Sequence, residues 1–382
     1  MADAASLDEI VRDQRVVVCV GSGGVGKTTV SASIAMKAAQ MGRRACVLTI
    51  DPARRLANAM GLRELGNTPS LVDASRFETS GLAAPAGRLY AMMLDTKRTW
   101  DDLVHRFAAT PEQAQRILDN KYYRQISTSI AGSQEFMAME KLLELHESGQ
   151  YDLLVLDTPP TRHALDFLEA PKRMIGFMDD RVLRFLTTPA RVGKFGIGML
   201  TSSTAMMFAV LQRVTGFEVL SDISDYVSSF SGMHAGFRER AARVEAHLRS
   251  PSSTFILVAS PNAETVEEAI FFYGKLRASS MPFGGFVVNR AQESALGSPD
   301  AAAEWDRLRQ DPSPLAADRA LASRLADNFA AYEALASAHA AHLAHLAERC
   351  PGAHFRRVVP AFDDDVHDLS GLARVNTRLF TN

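Results

Sequence analysis

Cysteine is scarce in this sequence. There are three in 382 residues, Cys19, Cys46 and Cys350, and no two form a CxxC pair. That spacing gives no reason to expect structural zinc or a disulfide framework. Cys19 and Cys46 each sit inside an apolar run and read as buried thiols, which suits a reducing cytoplasm. An excess of either charge is also missing: 42 Lys and Arg face 44 Asp and Glu, for a net charge of −2. The totals therefore offer no general attraction to nucleic acid or anionic lipid. The N-terminal MADAASLDEIVRDQR lacks the basic start and apolar stretch of a secretory signal. One uncharged stretch, Phe195–Gln212, is broken by Gly196, Gly198, Thr201, Ser202, Ser203 and Thr204. It is a poor match to the ~20 apolar residues that a bilayer core requires.

What is present is a regular alternation. Short strand candidates occur at Val16–Val20, Ala45–Ile50, Leu89–Leu94, Leu153–Leu156, Thr254–Ala259, Gly285–Val288 and Phe355–Val359. Several are continuously apolar, as strands buried on both faces of a parallel sheet are. Helical stretches such as Thr28–Met41, Glu264–Ser279 and Ala316–Arg349 lie between them. The alternation predicts a doubly wound, mostly parallel α/β fold. The length accommodates one large domain, 1–382, with insertions. Between Leu156 and Thr254 no convincing strand occurs, so 164–250 is expected to be a helical insertion. A second helical segment is expected over Lys97–Glu147, and a polar, Pro-containing exposed loop over Ala291–Pro314.

The chemistry begins at Gly21-Ser22-Gly23-Gly24-Val25-Gly26-Lys27-Thr28, which matches GxxxxGK[ST] between a strand and a helix. Glycines let consecutive backbone N–H groups turn toward phosphates, and the new helix presents its positive end. Lys27 supplies a point charge to the β- and γ-phosphates, and Thr28 offers a hydroxyl to Mg²⁺. The pattern predicts ATP and Mg²⁺ as ligands, with Thr29 next in the cradle. Asp51 and Asp157 each follow an apolar strand. At the carboxyl ends of parallel strands both would face the ligand crevice. Asp157 is expected on the metal side, acting through water. Asp51 is expected beside the metal, where it could orient the attacking water. An ordinary helix N-cap is the alternative for each.

Several segments together resemble the arsenical pump-driving and tail-anchored-protein-targeting (ArsA-like) P-loop ATPases, a branch that also holds the ParA, MinD and nitrogenase iron-protein ATPases. Gly23–Thr29 reads GGVGKTT, and Asp51-Pro52-Ala53-Arg54-Arg55-Leu56 looks like the family's first switch. Asp157-Thr158-Pro159-Pro160-Thr161-Arg162-His163 looks like its second switch. Val287-Val288-Asn289-Arg290 is similar to its late adenine-reading strand, and Val359-Pro360 with Asp364-Asp365-Val366 resembles its closing adenine-side loop. The resemblance implies that Asp51 polarises the hydrolytic water, Asp157 stands behind Mg²⁺, and Asn289 and Pro360 border the adenine. Asn262 stands where the family has a nucleotide-contacting Glu.

The resemblance also implies an ATP-closed dimer with a helical, client-binding surface, hence a membrane-protein client or a fixed membrane partner. The family's loop normally reads KGGVGKT, with a lysine that reaches the partner's phosphates; here that position is Ser22. Ser22, Arg54, Arg55 and Arg162 are the candidates to compensate. The implied assembly is a homodimer, or a heterodimer with a lysine-bearing paralogue. Met174, Met178, Met199, Met206, Met207, Phe177, Phe185, Phe195 and Phe208 crowd the insertion, as a client groove, a subdomain core or a dimer interface would require. Three functions follow: a dimeric, client-binding ATP switch; the energising ATPase subunit of a membrane anion transport system; and a ParA- or MinD-like positioning ATPase. The DTPPTRH switch, the large insertion and the lack of a basic amphipathic C-terminal helix stand against the third.

Overall fold

The computed structural model describes residues 6–51, 54–120, 123, 133–159, 168–173, 233–297, 303, 307 and 319–380. It divides into two compact units. The first comprises 1–92, 149–164 and 249–382, and the second 93–148 and 165–248.

The first unit is built on an eight-stranded sheet. Its strands are β1 (Val16–Val20), β2 (Arg44–Thr49), β3 (Ser70–Leu71), β4 (Arg88–Met93), β5 (Leu153–Asp157), β6 (Ser253–Ala259), β7 (Phe283–Ala291) and β8 (Phe355–Pro360). The order across the sheet is β3-β4-β2-β5-β1-β6-β7-β8. Parallel ladders join β2 to β5, β5 to β1, β1 to β6, β6 to β7 and β7 to β8, and the short β3 pairs antiparallel with β4. Every residue of β1, β5 and β6 is buried, which is why these runs are continuously apolar rather than alternating. All seven strand candidates are strands of this sheet. β3 has no apolar run behind it: two residues, one exposed, give no periodic signal.

The helix Lys27–Gln40 follows β1 and buries Val30, Ile34, Ala35, Met36, Ala38 and Ala39. It packs beside the C-terminal helix Leu369–Phe380. Cys19 and Cys46 are fully buried in β1 and β2, and burial pushes the Cys19 thiol up to about 12. No helix among the described residues is long and apolar enough to cross a membrane. Phe195–Gln212 and the Met- and Phe-rich cluster of the insertion lie outside the described residues.

The second unit is helical. Lys97–Glu147 is not one segment. It contains helices Thr96–Phe107, Pro111–Leu118 and Ser133–Glu147, each of the first two opened by a side-chain cap, from Asp95 and Thr110. Helix His234–Leu248 and the short helical stretch 168–173 belong to the same unit. Phe237 packs against Trp100 and Phe107, with ring centroids 5.9 Å and 5.1 Å apart. Glu140, fully buried, accepts from the Arg240 guanidinium at 2.7 Å, and Arg240 also reaches Glu147 at 2.7 Å. Removing Arg240 would leave the buried Glu140 with only the longer contact from Arg106 at 3.4 Å, an under-compensated buried charge. Arg240→Ala is therefore expected to destabilise this unit by about 3–5 kcal/mol, whereas replacing both Arg240 and Glu140 by apolar residues of similar volume costs far less. Denaturant unfolding of the single and double variants checks this.

In the same unit the His146 and His247 rings lie 4.1 Å apart. Burial, with His146 adding like charge, lowers the His247 pKa from 6.5 to about 4. The folded state thus prefers neutral His247. Its contribution is whole above pH 6.5 and is lost as pH falls toward 4. The expected loss is about 1 kcal/mol, since solvent screens a part-exposed ring. His247→Phe should flatten that limb of a stability-versus-pH curve.

Candidate functional site

Parallel strands bring their carboxyl ends to one edge, so the residues after β1, β2, β5, β7 and β8 converge there. At the exit of β1 the chain turns through Gly24 (φ +76°) and Gly26 (φ +94°), backbone conformations that favour glycine. Space is the second constraint at Gly26: a Cβ there would lie 2.1 Å from Asn289 Nδ2. Gly26 is also the N-cap of Lys27–Gln40, without a side-chain hydrogen bond and with no acidic residue in the first turn. The helix start is thus left for an anion.

The Lys27 ammonium is buried and donates to the carbonyls of Gly21 (2.9 Å) and Ser22 (2.7 Å). Burial is the largest influence on its pKa and lowers it, against the attraction of Asp157 and Asp51. The register sets Thr49 of β2 and Cys19 of β1 beside Asp157 on β5. Asp157 Oδ2 accepts hydroxyl hydrogen bonds from Thr28 (2.7 Å) and Thr49 (2.8 Å). Its Oδ1 is buried with no hydrogen-bond partner among the described residues. Burial raises the Asp157 pKa to about 6.

This donor set fits a hard divalent cation. Thr28 spends its hydrogen on Asp157 and keeps its lone pairs, while Oδ1 keeps an unused acceptor for a metal-bound water. Asp51 lies just beyond β2, half-buried, and its N–H donates to Thr49 Oγ1 at 3.2 Å.

A cavity of about 550 Å³ opens over this edge. Gly24, Gly26, Lys27, Thr28, Thr29, Asp51, Asn289 and Pro360 line it. Gly21, Ser22, Gly23, Val25 and Asp157 belong to the loop and floor but not to the lining. Asn289 Nδ2 donates to the Val25 carbonyl (3.0 Å), so it braces the glycine loop as well as facing the cavity. Asn262 does not line the cavity. It is the N-cap of helix Ala263–Ala278, accepting from the Thr265 N–H at 2.9 Å. Ser22 Oγ donates to Glu268 of that helix. Arg162, with Pro52, Ala53 and Pro160–His163, lies outside the described residues.

Sequence reasoning did not single out Thr49, Glu268 or the contact of Arg290 with the Gly24 carbonyl (3.4 Å). Thr49 carried a signal, as the one hydroxyl in the run Ala45–Ile50. Glu268 carried none, being an ordinary charge on a helix surface.

Residues 14–295 match a family described as Anion-transporting ATPase. A provisionally named arsenical pump-driving ATPase of Halobacterium salinarum is 27% identical over 288 residues, covering 66% of this chain and 42% of that protein. The ATPase get3 of Aspergillus terreus is 32% identical over 169 residues, covering 44% of this chain and 46% of its own length. An ATPase ASNA1 homolog of Cryptosporidium parvum is 25% identical over 275 residues, 71% of this chain and 63% of its own. The chain spans about half the length of the first two relatives and somewhat more of the third.

Proposed function

The chain belongs to the anion-transporting ATPase family, and from that premise we propose that it binds ATP with Mg²⁺ and hydrolyses the β–γ bond to drive a dimeric switch. One observation carries the reading: Lys27 and Thr28 line one cavity beside a glycine cradle, and Asp157, with its unused buried Oδ1, accepts from the Thr28 hydroxyl behind them. Lys27 holds the β- and γ-phosphates from the loop side. Thr28, with Asp157 behind a bound water and Asp51 alongside, would hold Mg²⁺. Bound there, the metal would neutralise charge on the β- and γ-oxygens. Asp51 orients a water against the γ-phosphorus and draws on its proton. Asn289 and Pro360 border the base. The test is metal-dependent release of phosphate from ATP by the purified chain; ATP bound without turnover would leave a binding module and end the enzymatic reading.

The switch acts in the cytoplasm on a protein partner, through a helical insertion at 164–250 in a single ATPase domain. The resemblance to targeting ATPases supports a membrane-protein client held there. The family description, and the pump-driving name of the Halobacterium relative, favour a second reading: an energising subunit of a membrane anion transport system. A pull-down with ATP and a hydrolysis-dead variant separates them. Varied membrane segments copurify with a targeting factor, and one integral membrane protein with a transport subunit. Hydrogen exchange over 172–219 that is the same in ATP and ADP states would remove the client groove.

The dimer is either a homodimer or a heterodimer with a lysine-bearing paralogue. Turnover by the chain alone, raised only by a paralogue that retains its extra lysine, would establish the second.

A further inference from the structure

The cavity is lined by two arginines and one lysine, and two of these three cations already rest on carbonyls of the glycine loop. Lys27 is tied to the Gly21 and Ser22 carbonyls, and Arg290 to the Gly24 carbonyl. Arg55 also lines the cavity, is exposed, and makes no hydrogen bond or ion pair among the described residues. Its neighbour Arg54 is directed elsewhere, to Glu64 at 3.8 Å, and is not part of the lining. Two adjacent arginines are thus split, as successive residues entering a helical turn must be, since they point about 100° apart.

The strand order places Arg55 along the cavity. From β2 across to β8 the edge carries Asp51 and Arg55, then Asp157, the glycine loop, Asn289 with Arg290, and last Pro360 with Phe362. Arg55 therefore enters from the Asp51 side, opposite the strand that carries Asn289. Its charge is felt at Lys27, whose pKa is lowered first by burial and then, to a smaller degree, by Arg55. The attraction of Asp157 and Asp51 outweighs that repulsion at Lys27, and a triphosphate reaching both cations would add to the compensation.

We propose that Arg55 is a catalytic residue for hydrolysis, supplying in cis the positive charge that the γ-phosphoryl oxygens need in the transition state. The proposal rests on the ATPase reading above. The water oxygen bonds to the γ-phosphorus, and the bond from that phosphorus to the β–γ bridging oxygen breaks. The electron pair of the broken bond leaves on ADP. The proton of the water passes by way of Asp51 to the phosphate formed. Arg55 gains and loses nothing. Its planar fork contacts two γ-oxygens as their charge spreads, an interaction stronger in the transition state than before it.

The experiment uses the full chain and measures single-turnover hydrolysis, ATP affinity by calorimetry, and affinity for ADP with aluminium fluoride and Mg²⁺. Arg55→Ala is expected to slow turnover by about a hundredfold, below the 10³–10⁵ of arginines delivered into closed sites because Arg55 is exposed. Its ATP affinity stays within about threefold, since an exposed charge contributes little to the ground state. Affinity for the fluoride complex falls with the rate. Arg55→Lys recovers part of the rate, and Arg54→Ala leaves it unchanged. Turnover by Arg55→Ala equal to the unmodified chain, or a loss of ATP affinity at constant turnover, overturns the proposal and leaves the ATPase reading standing. An unmodified chain that binds ATP but releases no phosphate sinks both.

Discussion

Lys27→Ala is expected to weaken ATP binding by roughly 10³. Hydrogen bonds to charged groups contribute about 1.5–3 kcal/mol each. Two of them lost from a phosphate amount to about 4 kcal/mol, or three decades in affinity. The rest of the site cannot take over. Arg290 is engaged with the Gly24 carbonyl, and Arg55 enters from the β2 side rather than from within the loop. Lys27 emerges at the helix start and is only 6% exposed, enclosed by the loop it serves. Its ammonium rests on two carbonyls of that loop, so a phosphate exchanges with existing partners and no rotamer has to be found. Lys27→Arg should fail nearly as badly. A guanidinium is planar and larger, and the slot is shaped for a compact charge. Calorimetry with ATP and Mg²⁺ reads the effect, and far-ultraviolet circular dichroism verifies that the variant is folded. Affinity within a few-fold of the unmodified chain would remove Lys27 from the phosphate site.

The glycine loop was legible because its chemistry demands residues at fixed spacing in one continuous segment. The central strands β1, β5 and β6 were legible for a different reason: buried on both faces, they are nearly continuous apolar runs, whereas β4 and β8, partly exposed and carrying Arg88, Arg356 and Arg357, rested on their place in the alternation. Asp157 could be read from its place after such a run. What the sequence withheld depends on tertiary neighbours. Asn262 looked like a nucleotide contact by position, yet one N–H three residues on captures its side chain as a helix cap. Arg54 and Arg55 are chemically identical in the sequence, and a helical start separates them, sending one to Glu64 and leaving the other at the cavity. Glu140 and Arg240 lie a hundred residues apart, and nothing in either local segment announces that they share a buried pair. Asn289 is the intermediate case. Its strand and residue type were visible, while its bracing of the Val25 carbonyl required the loop to be in place.

Asp51→Asn should separate binding from chemistry. ATP affinity is expected to stay close to that of the unmodified chain, while the hydrolysis rate falls by roughly 10³, within the range assigned to a positioned general base. The reason lies in a short chain of contacts. The Asp51 N–H donates to Thr49 Oγ1, and Thr49 in turn donates to Asp157 Oδ2, the metal-side carboxylate. The backbone at Asp51 is thereby fixed relative to the cation position, and asparagine, equal in size, preserves those contacts. What asparagine removes is the negative charge and the ability to take a proton. A water held against the γ-phosphorus then loses its polarising partner, while the glycine cradle and Lys27 still hold the triphosphate. The side chain is half-buried, so the exchange carries little cost in stability. Asp157→Asn provides the contrast: it should lower metal-dependent affinity as well as rate, because the acceptor behind the metal-bound water changes. Single-turnover kinetics and calorimetry on the two variants give four numbers. An Asp51→Asn rate within about threefold of the unmodified chain, far short of the loss expected for a base, would move the water-orienting role to another residue.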